Sequence, residues 1–422
     1  MHVLMNMYPW YLPKRSREWR IHFELMNLRN QFPDMEFSLV NDPLAISIGN
    51  TIFLMQYLLG KTGRYRQLLS RFYPFHAMTS MNWVPQRFIT HSGADLLFGH
   101  EYFPLNVRAD LLPTVFETGM QSDEVIVYHA PKNMDRGEYL RGVRELNVRM
   151  KRHIAARCTL INVREPSGAE RFRHLLPEYA EKVRTVFPYL PYLEPMLEAD
   201  VVSKHHDNGL CRCLFVGNDA RRKGLPFLAK AIQELPPEIR SKIQLTVVSQ
   251  FLDGAVDLSN IAARIITEKK PPRLSLVLDR RSPKQGAVSL AEVITLMQSS
   301  DVFIMPTQAD TFGFVFIEAL ASGCAVVGPR RDPQDWILDY GRSGMLVEPC
   351  DPDSIAEAIR SLVENPELRL SLALAGRQRF LTMYYHEVVA QHYRELFEEA
   401  IDLWRADNHL SSRSANVSAS DQ

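Results

Sequence analysis

Cysteine is sparse in this chain, charge of either sign is not in excess, and no apolar run is long enough to cross a bilayer. The five cysteines, Cys158, Cys211, Cys213, Cys324 and Cys350, are odd in number and scattered over 422 residues. That set excludes a disulfide framework and suits reduced thiols in the cytosol. Cys211-Arg-Cys213 has no second pair at metal-ligand spacing, so small core residues explain it better than zinc. Lysine and arginine number 49 and so do aspartate and glutamate, a net charge of zero. A general nucleic-acid binder would show a basic balance. Met1 to Met7 is apolar but runs straight into Tyr8-Pro9-Trp10, without the layout of a secretory signal. What is present, 46% hydrophobic and 23% charged residues, is the composition of a soluble globular protein. At 422 residues the chain exceeds one ordinary core, so two domains are expected.

One stretch organises the rest. Val302 to Met305 is wholly apolar and closed by Pro306, the pattern of a strand covered on both faces. A polar turn from Thr307 to Thr311 follows, then Phe312-Gly313-Phe314 opens an apolar segment of helical length. Gly323 stands where a left-handed residue would end that helix, and Cys324 to Val327 reads as a second strand. Strand, loop, helix and strand make a right-handed parallel unit. Its helix start, with free N–H groups and the positive dipole end, suits an anion. Gly313 removes a side chain where a phosphate would approach. Asp310 and Glu318 frame the opening, and carboxylates beside a phosphate are useful only for binding hydroxyls. A nucleotide sugar brings phosphate, ribose and sugar together.

The residues here resemble the retaining, nucleotide-sugar-dependent glycosyltransferases of family 4, which have the GT-B fold. Their signature is a carboxylate, seven residues, then Glu, followed by Ala-x-Ala-x-Gly. This chain has Asp310, seven residues, Glu318, then Ala319-Leu-Ala321-Ser-Gly323. The resemblance covers most of the second half and, more faintly, the first. It implies an α/β protein of two Rossmann-like doubly wound parallel-sheet domains facing a cleft. It also implies a donor bound by the second domain: Glu318 on the ribose, Lys223 and the Phe312 to Phe314 amides on the phosphates, Asp310 toward the sugar. Thr311, Gly217, Asn218 and Arg222 belong to the same expected donor set, and His100 is the expected sugar or acceptor histidine. Sugar transfer with retention, without metal or other cofactor and from a UDP- or GDP-sugar, is the implied activity. Three positions depart from the family pattern. Asp310 stands for the usual Glu, Asn218 for an Arg after the first glycine, and the loop Tyr8 to Arg17 has no glycine. Either that loop takes another path or its basic side chains replace backbone amides. These departures keep open a non-catalytic GT-B binding protein, an epimerase or an inverting transferase.

Elsewhere the pattern is of short apolar strands alternating with helices, the mark of a parallel sheet wound on both sides. His2 to Met7, Phe37 to Val40, Asp95 to Phe98, Leu112 to Gly119, Val125 to His129, and 156–165 supply the strands of the first half. Glu117 stands where a family histidine would be typical. Lys61, Arg64, Arg66 and Arg71 interleave with apolar residues, a basic amphipathic stretch that suits a solvated face or peripheral contact with membrane. In the second half Cys213 to Gly217, Gln244 to Ser249 and Leu274 to Leu278 read as strands. Asp351-Pro352 is a helix cap rather than a metal-binding Asp-x-Asp. Expected bounds are 1–195 for an acceptor-binding domain, with a helix at 387–406 returning to it, and 205–385 for the donor domain. Pro188 to His206 is the expected linker and 408–422 a disordered tail. The expected place is the cytoplasm or, by peripheral contact, the inner face of the membrane. The expected partners are a nucleotide sugar and an unidentified acceptor, with no nucleic acid.

Overall fold

A computed structural model of the chain describes residues 1–6, 28–39, 89, 91–100, 110–120, 123–128, 130, 135–206, 209–217, 219–249, 256, 258, 261–267, 288–310 and 312–420. The glycine-free loop 8–17, the basic stretch 61–73, Asn218, the strand expected at 274–278 and Thr311 lie outside the described residues, as does the side chain of His100. The chain divides into two units, Met1–Pro191 with His386–Gln422, and Tyr192–Tyr385.

Among the described residues of the first unit six strands form one parallel sheet: β1 (His2–Asn6), β2 (Glu36–Leu39), β3 (Leu96–His100), β4 (Thr114–Thr118), β5 (Leu160–Val163) and β6 (Val183–Arg184), in the order β2-β1-β3-β4-β5-β6. Every residue of β4 and β5 is buried, as expected of strands covered on both faces. Residues 123–128 are a short helix rather than the strand that Val125-Ile-Val127 suggests. Asp123 opens that segment, where the helix dipole favours an acid. Arg144 donates to both carboxylate oxygens of Asp123. Local β propensity is overridden by this tertiary anchor. The last helix, His386–Ser420, extends through nearly all of the tail read as disordered. No glycine or proline occurs after His386 to stop it.

The second unit holds β7 (Cys211–Val216), β8 (Ile243–Ser249), β9 (Ala263–Thr267), β10 (Val302–Ile304), β11 (Ala325–Pro329) and β12 (Met345–Val347), all parallel, in the order β12-β11-β10-β7-β8-β9. Read by connection, the order is 3-2-1-4-5-6. The winding therefore reverses between β7 and β10, and the crevice outside their carboxyl ends is where such sheets bind ligands. The helix Phe314–Ala321 is buried along its whole length, which is why its sequence is apolar on every side apart from Glu318. Phe316 meets Phe303 of β10 edge-on at 5.7 Å, and full burial of such a ring contributes roughly 2 kcal/mol. Gly323 has the left-handed φ of 66° foreseen for the residue that ends this helix. Asp351 caps the helix Pro352–Glu364 by accepting from the N–H groups of Asp353 and Ser354.

The segment expected to be a linker contains the helix Glu198–Lys204. Its end finishes the site helix: Lys204 Nζ donates to the Ser322 carbonyl at 2.8 Å and His205 Nε2 to the Gly323 carbonyl at 2.9 Å. A cation at a helix C-terminus is electrostatically favourable. Burial holds the His205 imidazole down at about 4, from an ordinary 6.5. The unfolded chain therefore binds the extra proton between those values, and the stabilisation is complete above pH 6.5 and lost as pH falls toward 4. Its size is about 3 kcal/mol. Urea unfolding across that window should show the slope, and His205→Gln, which keeps a donor for Gly323, should flatten it. An unchanged slope in the variant would remove His205 as its source.

Among the described residues no helix is long and apolar enough to cross a membrane, and no cluster of His, Cys, Asp and Glu has metal-binding geometry. Four cysteines are buried and Cys350 is exposed, all with free thiols; Cys211 Sγ and Cys213 Sγ lie 3.9 Å apart as core neighbours.

Candidate active site

Two loops leave the sheet at the reversal point. One follows β7 and runs through Gly217 to Gly224; the other follows β10 and runs from Met305 to Gly313. They are laced together. Gln308 N donates to the Arg222 carbonyl at 2.9 Å, Thr307 Oγ1 to the same carbonyl at 3.2 Å, and Gln308 Nε2 to the Arg221 carbonyl at 2.8 Å. Arg222 Nη1 donates to the Ala309 carbonyl at 2.7 Å, and Arg331 donates to the Gln308 carbonyl. Arg222, expected among the donor ligands, is thus engaged in holding the second loop to the first.

Lys223 and Asp310 are the product of this lacing. Lys223 Nζ donates to Asp310 Oδ2 at 2.5 Å, with both side chains about nine-tenths buried. Gly217 makes room for the lysine stem, since a Cβ there would sit 2.7 Å from Lys223 Cγ. Gly313 then opens the site helix at φ 94°, a conformation that side-chain-bearing residues rarely adopt. Phe312 and Phe314 lie beside it with ring centroids 4.7 Å apart and planes tilted by 39°. Glu318, about one turn into the helix, is only 1% exposed, and Tyr192 Oη donates to its Oε1 at 3.2 Å. The structure therefore brings Gly217, Arg222, Lys223, Asp310, Phe312, Gly313, Phe314 and Glu318 to one edge of the second sheet.

His100 is not among them. It ends β3 in the first unit, in register with Glu117 of β4 at the carboxyl edge of that sheet. Glu117 is fully buried and accepts from Asn162 Nδ2 at 2.8 Å and from Tyr393 Oη at 2.5 Å. Burial and the adjacent Glu117 charge push the Tyr393 hydroxyl well above its usual range. Tyr393 lies on the final helix, so this carboxylate fastens that helix to the edge of the sheet.

Two residues were not legible as site residues in the sequence. Tyr192 lies among prolines in a stretch with the look of a linker. Gln334 is fully buried with neither side-chain polar atom hydrogen-bonded among the described residues, and its Nε2 is 2.8 Å from where a Gly313 Cβ would be. An unusually polar residue beside Pro333 was the only local signal.

Comparison with known proteins follows the same division. Residues 202–379 match the family described as Glycosyl transferases group 1. The lipopolysaccharide core biosynthesis glycosyltransferase LpsE of Rhizobium meliloti is 30% identical over 96 residues, 23% of this chain and 28% of that protein. The D-inositol 3-phosphate glycosyltransferase of Corynebacterium jeikeium is 28% identical over 159 residues, 37% of this chain and 36% of that protein. The chain thus matches about a quarter to a half of the length of these curated relatives. The crystal structure of Anabaena HepE in complex with UDP and glucose superposes with a TM-score of 0.54 at 14% identity, covering 94% of this chain and all of the other. At that identity the likeness shows the fold, which is GT-B.

Proposed function

From the match of residues 202–379 to the glycosyl transferases group 1, we propose that this chain belongs to that family and is a retaining glycosyltransferase acting from a nucleoside diphosphate sugar. One observation carries this: an ammonium held on a carboxylate beside a glycine-started helix, at the reversal point of a parallel sheet. Lys223 and the amides at Phe312 to Phe314 meet the diphosphate charge, so no metal is assigned to it. Glu318 takes the ribose hydroxyls. Asp310 orders Lys223 and faces the sugar. The first unit, with His100 at its sheet edge, takes the acceptor hydroxyl. UDP is the donor nucleotide favoured by the UDP-bound neighbour HepE, with GDP second.

The C1–oxygen bond of the donor breaks with its electron pair leaving on the phosphate. The acceptor oxygen forms the new C1 bond on the same face, and its proton passes to the departing phosphate oxygen. Charge builds on that phosphate, and a fixed cation and fixed amides stabilise it without reorganising. We place the enzyme in the cytoplasm, with peripheral contact at the inner membrane face assigned to the basic first half.

Donor hydrolysis is the test. With UDP-, GDP- and ADP-glucose and their N-acetylglucosamine counterparts, one donor should slowly release its nucleoside diphosphate. That donor should also stabilise the fold by about 2.7 kcal/mol at a hundredfold excess over its Kd. Stabilisation without any release would favour a binding protein of the same fold.

A further inference from the structure

We infer that Tyr192 is a positioning residue which sets the Glu318 carboxylate for the ribose of a nucleoside diphosphate, an inference that rests on the second unit being the donor site. Tyr192 is the first residue of that unit. From it the chain runs as a strap along the buried helix Phe314–Ala321. Tyr192 Oη donates to Glu318 Oε1 at 3.2 Å, and Met196 N donates to the Ala321 carbonyl at 2.8 Å. Val201 packs so closely on Gly323 that a Cβ there would lie 2.5 Å from its Cγ2. Lys204 and His205 then bind the Ser322 and Gly323 carbonyls. From the other side, Arg377 Nε donates to the Met196 carbonyl at 2.6 Å. The tyrosine is thus the first of five successive attachments, and its hydroxyl is held in place before any ligand arrives.

A carboxylate 1% exposed needs donors around it. Its two oxygens offer about four acceptor positions, so a diol can bind beside the tyrosine hydroxyl. With Oε1 held by Tyr192, the diol meets an acceptor already oriented. Such preorganisation strengthens binding by sparing the ordering cost. Sequence reading missed this role because Tyr192 is 126 positions from its partner.

The experiment is calorimetric binding of UDP and of 2′,3′-dideoxy-UDP to the full chain and to Tyr192→Phe. The wild-type protein should prefer UDP by at least about tenfold, because the deoxy ligand leaves the buried carboxylate without its hydroxyls. Tyr192→Phe should bind UDP about fivefold more weakly and the dideoxy ligand unchanged, since the two losses are coupled through Glu318. The phenyl ring keeps the strap packing, and an unaltered melting temperature checks it. An equal loss for both ligands, or none for UDP, would make the tyrosine merely structural and overturn its positioning role while Glu318 stands. A wild-type protein that binds the two ligands equally would overturn the ribose role of Glu318 itself.

Discussion

Replacing Lys223 by alanine should weaken UDP binding about a hundredfold and also destabilise the protein, and the two effects should separate in a double variant. In the wild-type protein the ammonium is 2.5 Å from Asp310 Oδ2, and the two side chains are 11% and 10% exposed. Removing only the lysine takes the ion-pair cation from a buried carboxylate, which costs about 3 kcal/mol. Removing Asp310 as well relieves that cost, so Lys223→Ala with Asp310→Ala should unfold near the wild-type denaturant midpoint. Nucleotide affinity should not return. A charge-assisted contact to phosphate has been lost, and binding should stay about a hundredfold weaker. Chemical unfolding and calorimetry on the parent and the two variants decide it. If the double variant binds UDP as the parent does, the diphosphate is not gripped at Lys223.

The second large effect is expected at Gly224, one residue further on. Its φ is 87°, and a Cβ there would lie 2.0 Å from the Pro306 carbonyl oxygen and 2.7 Å from its carbon. That neighbour is backbone of the other loop, at the exit of β10, and cannot rotate away. Gly224→Ala should therefore pry the two laced loops apart, costing about 4 kcal/mol in strain and overpacking. A fall of roughly 10 °C in melting temperature corresponds to that cost in a domain of this size. UDP binding should fall with it, because Lys223 rides on the displaced loop. Asparagine, which tolerates a left-handed backbone, should not rescue Gly224, since the Cβ itself is the obstacle. Gly341 is the control: its φ is 96°, but the nearest atom to an added Cβ is 4.0 Å away. Gly341→Asn should cost only the backbone strain, about 1 kcal/mol, whereas equal penalties at the two glycines would show that backbone conformation alone, not loop contact, explains Gly224.

The second unit was largely legible because its signals are local. Val302 to Met305 against Pro306, Gly313 before an apolar octet, Gly323 after it, and Asp351 with Pro352 each declare one boundary within a few residues. The first half spoke less clearly. Val125 to Val127 has the β-branched side chains of a strand, yet Asp123 at its head and Arg144 across from it make it a helix. The tail was misread because polarity was taken for disorder, when the backbone only needed freedom from glycine and proline to continue its helix.

The sequence by itself determined which residues could serve: a carboxylate pair eight positions apart, a lysine before a glycine, a helix with an open start. Those depend on short-range geometry, which spacing encodes. Only the tertiary structure decided what each does with its charge. Parallel order placed β7 beside β10 and so joined Lys223 to Asp310 across 87 positions. It also committed Arg222 to a backbone carbonyl and laid Tyr192 on Glu318. Partners of that kind are chosen by which strands and segments become neighbours, and no periodicity in the chain records that choice.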